Sequence, residues 1–310
     1  KRARILSGNV ERLGIANALV LNEHPKQLAE RFPEWFDKIL VDAPCSGEGM
    51  FRKEEAAVTD WSEETVEMCA RRQQEILHSA AQMLRGGGRL VYSTCTFSPQ
   101  ENEGAVSAFL HAHPEFYVEE VSAPWFAPGR PDWVEDPAPG LEHTFRLWPH
   151  HLRGEGHYAA VLRKRGEDVS EQPEEKSGRF PPEFLEFQKA SGAALPCGKP
   201  LLFGSTLYQM PEGTPELCGL KVLRAGLELG QLLRGRFEPA HAWALWLKDA
   251  KSAADLPSDS EEIRRYLAGE TISGAQTGWT LVRVDGLTLG WAKGSAGQLK
   301  NHYPKALRRG

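Results

Sequence analysis

The sequence lacks several features that define common structural classes. Its five cysteines are odd in number and form no C-x-x-C pair, which argues against a disulfide framework and against a zinc ribbon. No apolar run approaches the roughly 20 residues that a membrane span needs, and no signal peptide opens the chain. No repeat of fixed period is visible. We therefore expect a monomeric cytoplasmic protein with neither a metal site nor a membrane segment.

A glycine-rich phosphate loop is not recognisable either. Gly86–Gly88 follow a helical pattern and precede a strand pattern. Phosphate loops have the reverse order, because the phosphate is held at the start of the helix that follows the glycines. The glycine run is therefore predicted to end a helix and not to bind phosphate.

The charge of the chain is small but unevenly distributed. The formal net charge is -5, yet residues 221–310 contain 14 Lys and Arg against 9 Asp and Glu. The last twenty residues include five basic residues and no acidic one. A basic segment on an acidic body favours a polyanionic partner such as RNA. On charge alone, a solvated terminal face explains the same pattern equally well.

Helical and strand patterns alternate in the first half of the chain, which predicts an α/β fold. Ile39–Val41 form an apolar run typical of a strand that is covered on both faces, as in a parallel sheet. We therefore predict a Rossmann-like doubly wound sheet with helices on both faces, followed by a smaller α+β module. The predicted domains are 1–166, a linker at 167–180, an intermediate segment at 181–257 and a last module at 258–310.

Individual elements follow from periodicity, capping residues and turns. One predicted helix ends near Leu13. Three others cover Ser62–Arg85, Glu101–His111 and Glu261–Leu267, and Pro25–Phe36 is predicted to be a helix or a loop. Predicted strands are Ala18–Leu21, Lys38–Asp42, Arg89–Ser93 and Phe116–Val121. Two hairpins are predicted, Thr144–Trp148 with Tyr158–Lys164 and Trp279–Val284 with Leu287–Ala292.

Two segments share one pattern, an apolar strand that stops at a polar turn containing a cysteine. The first is DKILVDAPCSGEGMFRK at 37–53, and the second is RLVYSTCTFSPQENE at 89–103. Because the carboxyl ends of parallel strands meet at the same rim of a sheet, Cys45, Cys95 and Asp42 are predicted to share one pocket. Cys69, on an apolar helix stripe, is predicted to be a small core residue.

Two thiols beside a carboxylate suit the methylation of carbon 5 of cytosine. That carbon is not nucleophilic until a thiolate adds to carbon 6 of the same ring. Carbon 5 can then accept a methyl group from a sulfonium donor, after which a base removes its proton and the thiol leaves. One cysteine would add and the other would assist release, and the residues alone do not decide which does which.

Together the two segments resemble the Nop/Sun family of RNA cytosine-5 methyltransferases, and within it the bacterial ribosomal-RNA branch of RsmF type. NVERLGIAN at 9–17 and LKNHYPKALRR at 299–309 resemble the same family. The resemblance implies that Cys95 is the nucleophile and that Cys45 assists product release. It also implies that Asp42 contacts S-adenosylmethionine, the target base or both. The implied substrate is ribosomal RNA, free or within the small subunit.

The resemblance also implies where the cofactor binds. Pro44 would contact it beside Asp42, and Glu23 lies where relatives often carry an aspartate near the adenine. The main cofactor loop is expected upstream of Lys1, because the chain opens within a helix pattern and without Met. This chain alone is therefore expected to bind S-adenosylmethionine weakly or not at all, and to be inactive by itself.

The second half resembles the later part of RsmF-type proteins, which ends in a PUA-like RNA-binding module. Lys300, Lys305, Arg308 and Arg309 are predicted to contact RNA in this module. Trp279 and Trp291 are predicted to be core residues of the hairpin, although their neighbours mix aromatic and basic groups that suit RNA. In the first half, Arg52 and Lys53 could contact substrate phosphates, or simply lie in a solvated loop.

Two other functions remain open at this point. A non-catalytic RNA-binding or ribosome-assembly protein could keep the scaffold without transferring a methyl group. A thiol redox protein would need a reversible bond between Cys45 and Cys95, and the missing C-x-x-C pair disfavours it.

Overall fold

The computed structural model describes residues 1–167 and 178–309. The chain forms two compact units, one of Glu23–Glu171 and one of Lys1–Asn22 with Gln172–Gly310. Most of the predicted linker at 167–180 lies outside the described residues. The predicted domain boundaries stay predictions.

The structure contains the following elements in chain order. The helices are α1 (Arg2–Arg12), α2 (Pro25–Arg31), α3 (Glu55–Asp60), α4 (Glu63–Met83), α5 (Glu103–Ala112), α6 (Pro182–Ser191), α7 (His241–Trp246) and α8 (Glu261–Ala268). The strands of the first half are β1 (Leu19–Leu21), β2 (Phe36–Asp42), β3 (Leu84–Thr94), β4 (Phe116–Val118), β5 (Ala127–Pro128), β6 (Phe145–Leu147) and β7 (His157–Lys164). Those of the second half are β8 (Lys199–Phe203), β9 (Thr206–Met210), β10 (Val222–Ala225), β11 (Leu227–Leu233), β12 (Arg236–Pro239), β13 (Ala253–Leu256), β14 (Ile272–Ser273), β15 (Gly278–Val284), β16 (Leu287–Ser295) and β17 (Gln298–Asn301).

The unit of Glu23–Glu171 is built on a six-stranded sheet. Its order is β2-β3-β7-β6-β5, and β4 pairs with β7. Strands β2 and β3 are parallel, with Val41 opposite Tyr92 and Asp42 opposite Ser93, whereas β7 runs antiparallel to β3. The two cysteine-bearing segments therefore end neighbouring parallel strands, as predicted. The predicted hairpin of β6 and β7 is also present.

One face of this sheet carries the core of the unit. Leu90 and Tyr92 of β3 and Leu162 of β7 are completely buried, and helices α4 and α5 contribute side chains to the same cluster. The opposite face is open at β2, where Leu40 is 69% exposed. The expectation that β2 is covered on both faces is wrong, because no helix among residues 1–167 and 178–309 covers Leu40.

Helix α4 and strand β3 meet at a different residue from the one predicted. Ser62 caps the helix by accepting a hydrogen bond from the Thr65 backbone N–H at 3.1 Å, as expected. The helix ends at Met83, however, and Gly86–Gly88 lie within β3. Between Leu84 and Arg89 the strand carries extra residues that have no partner on β2, so the glycines form an irregularity in the strand. The prediction that the glycines end the helix is therefore wrong.

The described part of the other unit contains three small sheets. Their orders are β12-β11-β9-β8, β13-β15-β16-β17-β14 and the antiparallel pair β1-β10. The predicted β15–β16 hairpin is present, and its turn residues Asp285 and Gly286 both have positive φ, as a type I′ turn requires. Trp291 is 1% exposed in the core and Trp279 packs partly buried against it, which confirms their predicted packing role.

No helix among the described residues is long and apolar enough to cross a membrane. Within residues 1–167 and 178–309, no group of three or more His, Cys, Asp or Glu side chains could hold a metal ion.

Candidate active site

Cys45 and Cys95 lie side by side at the carboxyl-end rim of β2 and β3. Their Sγ atoms are 3.2 Å apart, and the Cys95 backbone N–H points at Cys45 Sγ from 3.3 Å. Neither residue is walled inside the core, since both are only partly buried. The predicted convergence of the two thiols is thus confirmed. Cys69 is buried on α4, as predicted for a core residue.

The short distance between the sulfurs makes their acidities unequal. The Cys45 thiol donates a hydrogen bond to Cys95 Sγ, and this lowers the pKa of Cys95 to about 7 against the opposing effects of partial burial and the Asp42 charge. The pKa of Cys45 is raised, because its proton is held between the two sulfurs and because the thiol is partly buried. Near neutral pH a substantial fraction of the molecules has therefore lost one of the two thiol protons, and the thiolate, which is the reactive form, resides on Cys95.

Hydrogen bonds tie the two cysteine loops together at Cys95 and just after it. The Gly49 N–H donates to the Cys95 carbonyl at 2.9 Å, and the Phe97 N–H donates to a Glu48 carboxylate oxygen at 3.0 Å. Gly49 has no room for a side chain, because a Cβ there would lie 2.2 Å from the Gly156 carbonyl oxygen and 2.8 Å from that of Cys95. The Pro-Cys loop thus fixes the position of Cys95.

Glu101 joins the same two loops from within the protein. Its side chain is fully buried and accepts hydrogen bonds from the Ser46 N–H at 3.0 Å, from the Ser46 hydroxyl and from Gln73 Nε2 at 2.9 Å. Gln73, on α4, also donates to the Pro44 carbonyl at 2.9 Å. Burial raises the pKa of Glu101, and the hydrogen bonds from Ser46 and Gln73 oppose that rise. The carboxyl group holds the residue next to Cys45 in place.

A buried ion pair supports the chain just after Cys95. Arg146 contacts Glu103 through Nε at 2.7 Å and through Nη2, and the side chains are 2% and 0% exposed. Arg146 Nη1 also donates to the Phe97 carbonyl at 3.0 Å. The guanidinium lies 4.8 Å from the Trp133 ring centre and 5.3 Å from that of Trp148. This enclosure fixes Phe97, two residues from Cys95.

Asp42 is an exposed residue at the end of β2, close to the thiols. Its negative charge opposes the lowering of the Cys95 pKa. A carboxylate in this position matches a cofactor that carries a positively charged sulfonium and ammonium group. Pro44 is also exposed at this rim, while Glu23 lies half-buried before α2. The residues present at the rim thus fit one side of S-adenosylmethionine. The contributions of Pro44 and Glu23 stay predictions.

The predicted RNA-contacting residues fall into two groups. Arg52 and Lys53 are exposed after the Pro-Cys loop, and Arg52 donates to the Gly154 carbonyl at 2.8 Å and lies 3.5 Å from Glu155. The second group lies in the other unit, at or near its C-terminal end, and all of its members are exposed. They are Lys300, Lys305, Arg308 and Arg309. Arg308 donates to the Tyr303 carbonyl at 3.2 Å through Nη2. Their contacts with RNA stay predictions.

Sequence reasoning missed the polar residues that support the thiols. Glu101, Asn102 and Glu103 are all 0% exposed, although three consecutive polar residues at a helix start normally indicate a solvated cap. Asn102 donates to the Thr96 carbonyl at 3.0 Å and accepts from the Thr94 hydroxyl at 2.6 Å. Their position six to eight residues after Cys95 in the recognised motif was the available signal.

Comparison with known proteins gives matches along almost the whole chain. The family model described as 16S rRNA methyltransferase RsmB/F matches residues 1–163. The RsmF rRNA methyltransferase first C-terminal domain matches 186–247, and the methyltransferase RsmF PUA domain matches 253–309. The fold is accordingly a Rossmann-like methyltransferase domain followed by a PUA module.

Two curated relatives share one name with each other. Ribosomal RNA small subunit methyltransferase F of Aeromonas hydrophila is 32% identical over 99% of this chain and 66% of its own length. The Vibrio vulnificus protein of that name is 31% identical over 99% of this chain and 67% of its own length. The chain thus spans about two thirds of the length of the relatives that it matches.

Two solved structures from Pyrococcus horikoshii also match part of the chain. One, a methyltransferase homolog protein, is 28% identical over 53% of this chain and 50% of that chain, with a TM-score of 0.46. The other, NSun6 with SFG, is 32% identical over 54% of this chain and 39% of that chain, with a TM-score of 0.44. On the family model that covers more than half of its residues, the chain belongs to the RsmB/F family of 16S rRNA methyltransferases.

Proposed function

We propose that this protein methylates carbon 5 of a cytosine in small-subunit ribosomal RNA through a covalent bond between Cys95 and carbon 6 of the base. The observation that carries the proposal is the pair of partly buried thiols, 3.2 Å apart at the rim where two parallel strands end. Family membership supports ribosomal RNA as the substrate class.

Cys95 is the nucleophile in this proposal. Its lowered pKa leaves a substantial thiolate fraction at neutral pH, and the thiolate is the species that adds to carbon 6. Addition forms the sulfur–carbon bond and moves electron density towards carbon 5 and the ring nitrogen. The Gly49 N–H holds the Cys95 carbonyl and Arg146 holds the Phe97 carbonyl, so the sulfur keeps its orientation during attack.

Cys45 assists the reverse step. After carbon 5 has lost its proton to a base, the bond between Cys95 and carbon 6 breaks and the electron pair returns to the sulfur. The Cys45 thiol donates a hydrogen bond to that sulfur across 3.2 Å, which stabilises the departing thiolate. Without this donor the covalent adduct should persist.

Asp42 holds the positively charged groups of the donor or a polar edge of the target base. When bound, S-adenosylmethionine supplies an electrophilic methyl group on a sulfonium. Asp42 and Pro44 are exposed at the same rim as the thiols, and are the described residues best placed to contact it there. Asp42 also opposes the ionisation of Cys95, and the hydrogen bond from Cys45 outweighs that effect on the pKa of Cys95.

The alternative function is a non-catalytic role in RNA binding or ribosome assembly. A binding scaffold has no need for a thiol of lowered pKa, nor for a buried carboxyl group that fixes the loop of a second thiol. Both features favour the enzyme.

The test compares ribosomal RNA from a strain deleted for the gene with RNA from its parent by bisulfite mapping. We expect loss of 5-methylcytosine at one or more small-subunit positions. The complete reading frame should restore the signal, and the same frame with Cys95→Ala should not. If the deletion strain and its parent had the same 5-methylcytosines, the proposed reaction would be ruled out.

A second arm uses the product of the complete reading frame with ribosomal RNA and labelled donor. Cys45→Ala should accumulate a protein–RNA adduct that survives denaturing electrophoresis, and the Cys45→Ala, Cys95→Ala double variant should not. If the single variant turned over normally, Cys45 would have no role in release. RNA binding without any transfer by the unsubstituted protein would favour the assembly role.

A further inference from the structure

Three strands of the C-terminal sheet align an aromatic residue and two lysines in one row. Trp279 of β15 lies opposite Lys293 of β16, and Lys293 lies opposite Lys300 of β17. Residues directly opposite one another place their side chains on the same face of a sheet, with Cβ atoms about 4.5–5.5 Å apart. Lys293 and Lys300 are both exposed. We call this row, together with His302, the Trp-Lys-Lys row.

The two lysines repel each other in the free protein. Like charges directly opposite on neighbouring strands destabilise a sheet, so such a pair costs stability unless an acid lies between them. The nearby acid, Glu238, lies 3.6 Å from His302 Nδ1 and 4.0 Å from Arg236. In the part of the chain that the structure describes, no carboxylate lies within 4.0 Å of either ammonium group. The row therefore presents two uncompensated positive charges.

An aromatic and an imidazole ring adjoin these charges. Lys293 Nζ lies 5.7 Å from the centre of the Trp279 ring, and the His302 ring packs on Trp279 with 4.4 Å between ring centres. Trp279 is only partly buried, unlike Trp291 beneath the same face. Burial lowers the pKa of His302, and the charges of Lys300 and Lys293 lower it further, whereas Glu238 opposes the shift. The four side chains thus form one continuous patch.

We propose that the Trp-Lys-Lys row is an RNA-binding surface, on which Lys293 and Lys300 neutralise backbone phosphates and Trp279 packs against an adjacent ribose or base. The inference rests on the proposed function for the choice of RNA as the polyanion. Paired cations beside an aromatic ring are the combination that single-stranded nucleic acid uses, since phosphates need positive charge and bases need a stacking partner. The binding of phosphate would also relieve the repulsion between the lysines.

The row refines the earlier expectation for this module. Lys300 was predicted to contact RNA as one of the basic residues of the PUA-like module, and its register now pairs it with Lys293 and, through it, with Trp279. Arg308 already donates to the Tyr303 carbonyl through both Nε and Nη2. We infer that Lys293 and Lys300 contribute more to the electrostatic attraction of RNA than Arg308 does.

The test measures how the affinity of the chain for single-stranded RNA depends on salt, using fluorescence anisotropy with a labelled oligonucleotide derived from small-subunit ribosomal RNA. Lys293→Ala and Lys300→Ala should each lower the slope of log K against log salt by about 0.7, because each removes roughly one phosphate contact. Lys248→Ala, which changes an exposed lysine of the same unit outside the row, is the matched control and should leave the slope unchanged. Lys293→Arg should retain it.

A charge reversal separates binding from folding. Lys300→Glu places an acid opposite Lys293, so it should raise the melting temperature of the chain while it weakens RNA binding more than Lys300→Ala does. Trp279→Phe should keep most of the affinity and Trp279→Ala should lose it, about 5-fold or more. Unchanged slopes in both lysine variants, or equal changes in Lys248→Ala, would overturn the proposal. Tighter binding of polyglutamate than of RNA would also overturn it and assign the row to an acidic protein.

The measurement does not involve methyl transfer. Slopes that respond as expected while no cytosine is methylated would leave the RNA-binding row in place and remove the proposed reaction. The opposite result, cytosine methylation together with unchanged salt slopes in the lysine variants, would rule out only the RNA-binding role of the row.

Discussion

The sulfur atoms of Cys45 and Cys95 lie 3.2 Å apart, although 50 positions separate the two residues in the chain. At that distance the proton of one thiol stabilises the negative charge of the other, so each cysteine controls what the other can do. Two predictions depend on this relationship alone, and both can be tested without a substrate.

The first concerns the pH at which Cys95 reacts. The pKa of Cys95 is lowered to about 7 mainly by the Cys45 thiol, so Cys45→Ala should return it towards the ordinary value of about 8.5. At pH 7 the thiolate fraction, and with it the alkylation of Cys95 by iodoacetamide, should fall on the order of tenfold. Asp42→Asn should shift the pH profile downwards, because it removes a charge that opposes ionisation.

Peptide mass spectrometry reports alkylation at each cysteine separately. The exposed residues Cys197 and Cys218 are internal references, and their rates should not change in either variant. Equal alkylation of Cys95 with and without Cys45 would show that the neighbouring thiol does not influence its acidity.

The second prediction concerns oxidation. Cys95 thiolate should attack hydrogen peroxide to give a sulfenic acid and hydroxide, and the Cys45 sulfur should then form a disulfide with Cys95 as water leaves. Closing the gap from 3.2 Å to about 2.05 Å requires only a small movement. Non-reducing peptide mapping should find the linked peptides, and dithiothreitol should separate them.

Cys45→Ser is the matched variant for this experiment, since it keeps the size of the side chain but cannot form the bond. In that variant Cys95 should proceed to sulfinic acid. The same irreversible product in the unsubstituted protein, without any linked peptide, would contradict the prediction.

The third prediction concerns the buried ion pair of Arg146 and Glu103. Arg146→Ala leaves a carboxylate without its partner at 0% exposure, so the free energy of unfolding should fall by about 3–5 kcal/mol. Arg89→Ala removes a guanidinium from a comparable two-bond pair with Glu119, but at 39% and 24% exposure, and should lower the free energy of unfolding far less because water screens an exposed pair. Urea unfolding of the two variants gives the comparison, and equal losses would mean that burial does not determine the strength of these pairs.

The fourth prediction concerns the backbone contact beneath Cys95. Gly49→Ala would bring a methyl group within 2.2 Å of the Gly156 carbonyl, so the Pro-Cys loop must move. We expect slower alkylation of Cys95 at pH 7 and a stability loss of about 1–3 kcal/mol. Gly154→Ala is the control, because a Cβ there meets nothing within 4 Å. A Gly49→Ala protein with normal alkylation would show that the loop tolerates the displacement.

Local signals predicted the two cysteine strands well. Each apolar run stops at a Pro- or Ser-bearing turn, and because parallel strands end at one rim, the meeting of Cys45 and Cys95 followed from topology. The β15–β16 hairpin followed from the Asp285-Gly286 turn for an equally local reason.

Features that depend on distant parts of the chain were not predictable in this way. Ile39–Val41 have the pattern of a strand covered on both faces, but the exposure of Leu40 depends on which elements pack on its face, and the residues of β2 do not determine that. The burial of Glu101 depends on Ser46 and Gln73, which lie 55 and 28 positions away and show no periodic pattern that would link them. The glycines of β3 read as a helix stop because an irregular strand has no sequence pattern of its own.

The Ser46–Gln73–Glu101 contacts restrict how this protein can diverge. Replacing Glu101 by an apolar residue would leave the Ser46 N–H and one Gln73 N–H without an acceptor, while replacing Gln73 would also release the Pro44 carbonyl. A protein with only one of these residues replaced is less stable, whereas a protein with all of them replaced together need not be. These three positions should therefore covary among descendants of this protein, although none of them takes part in the chemistry itself.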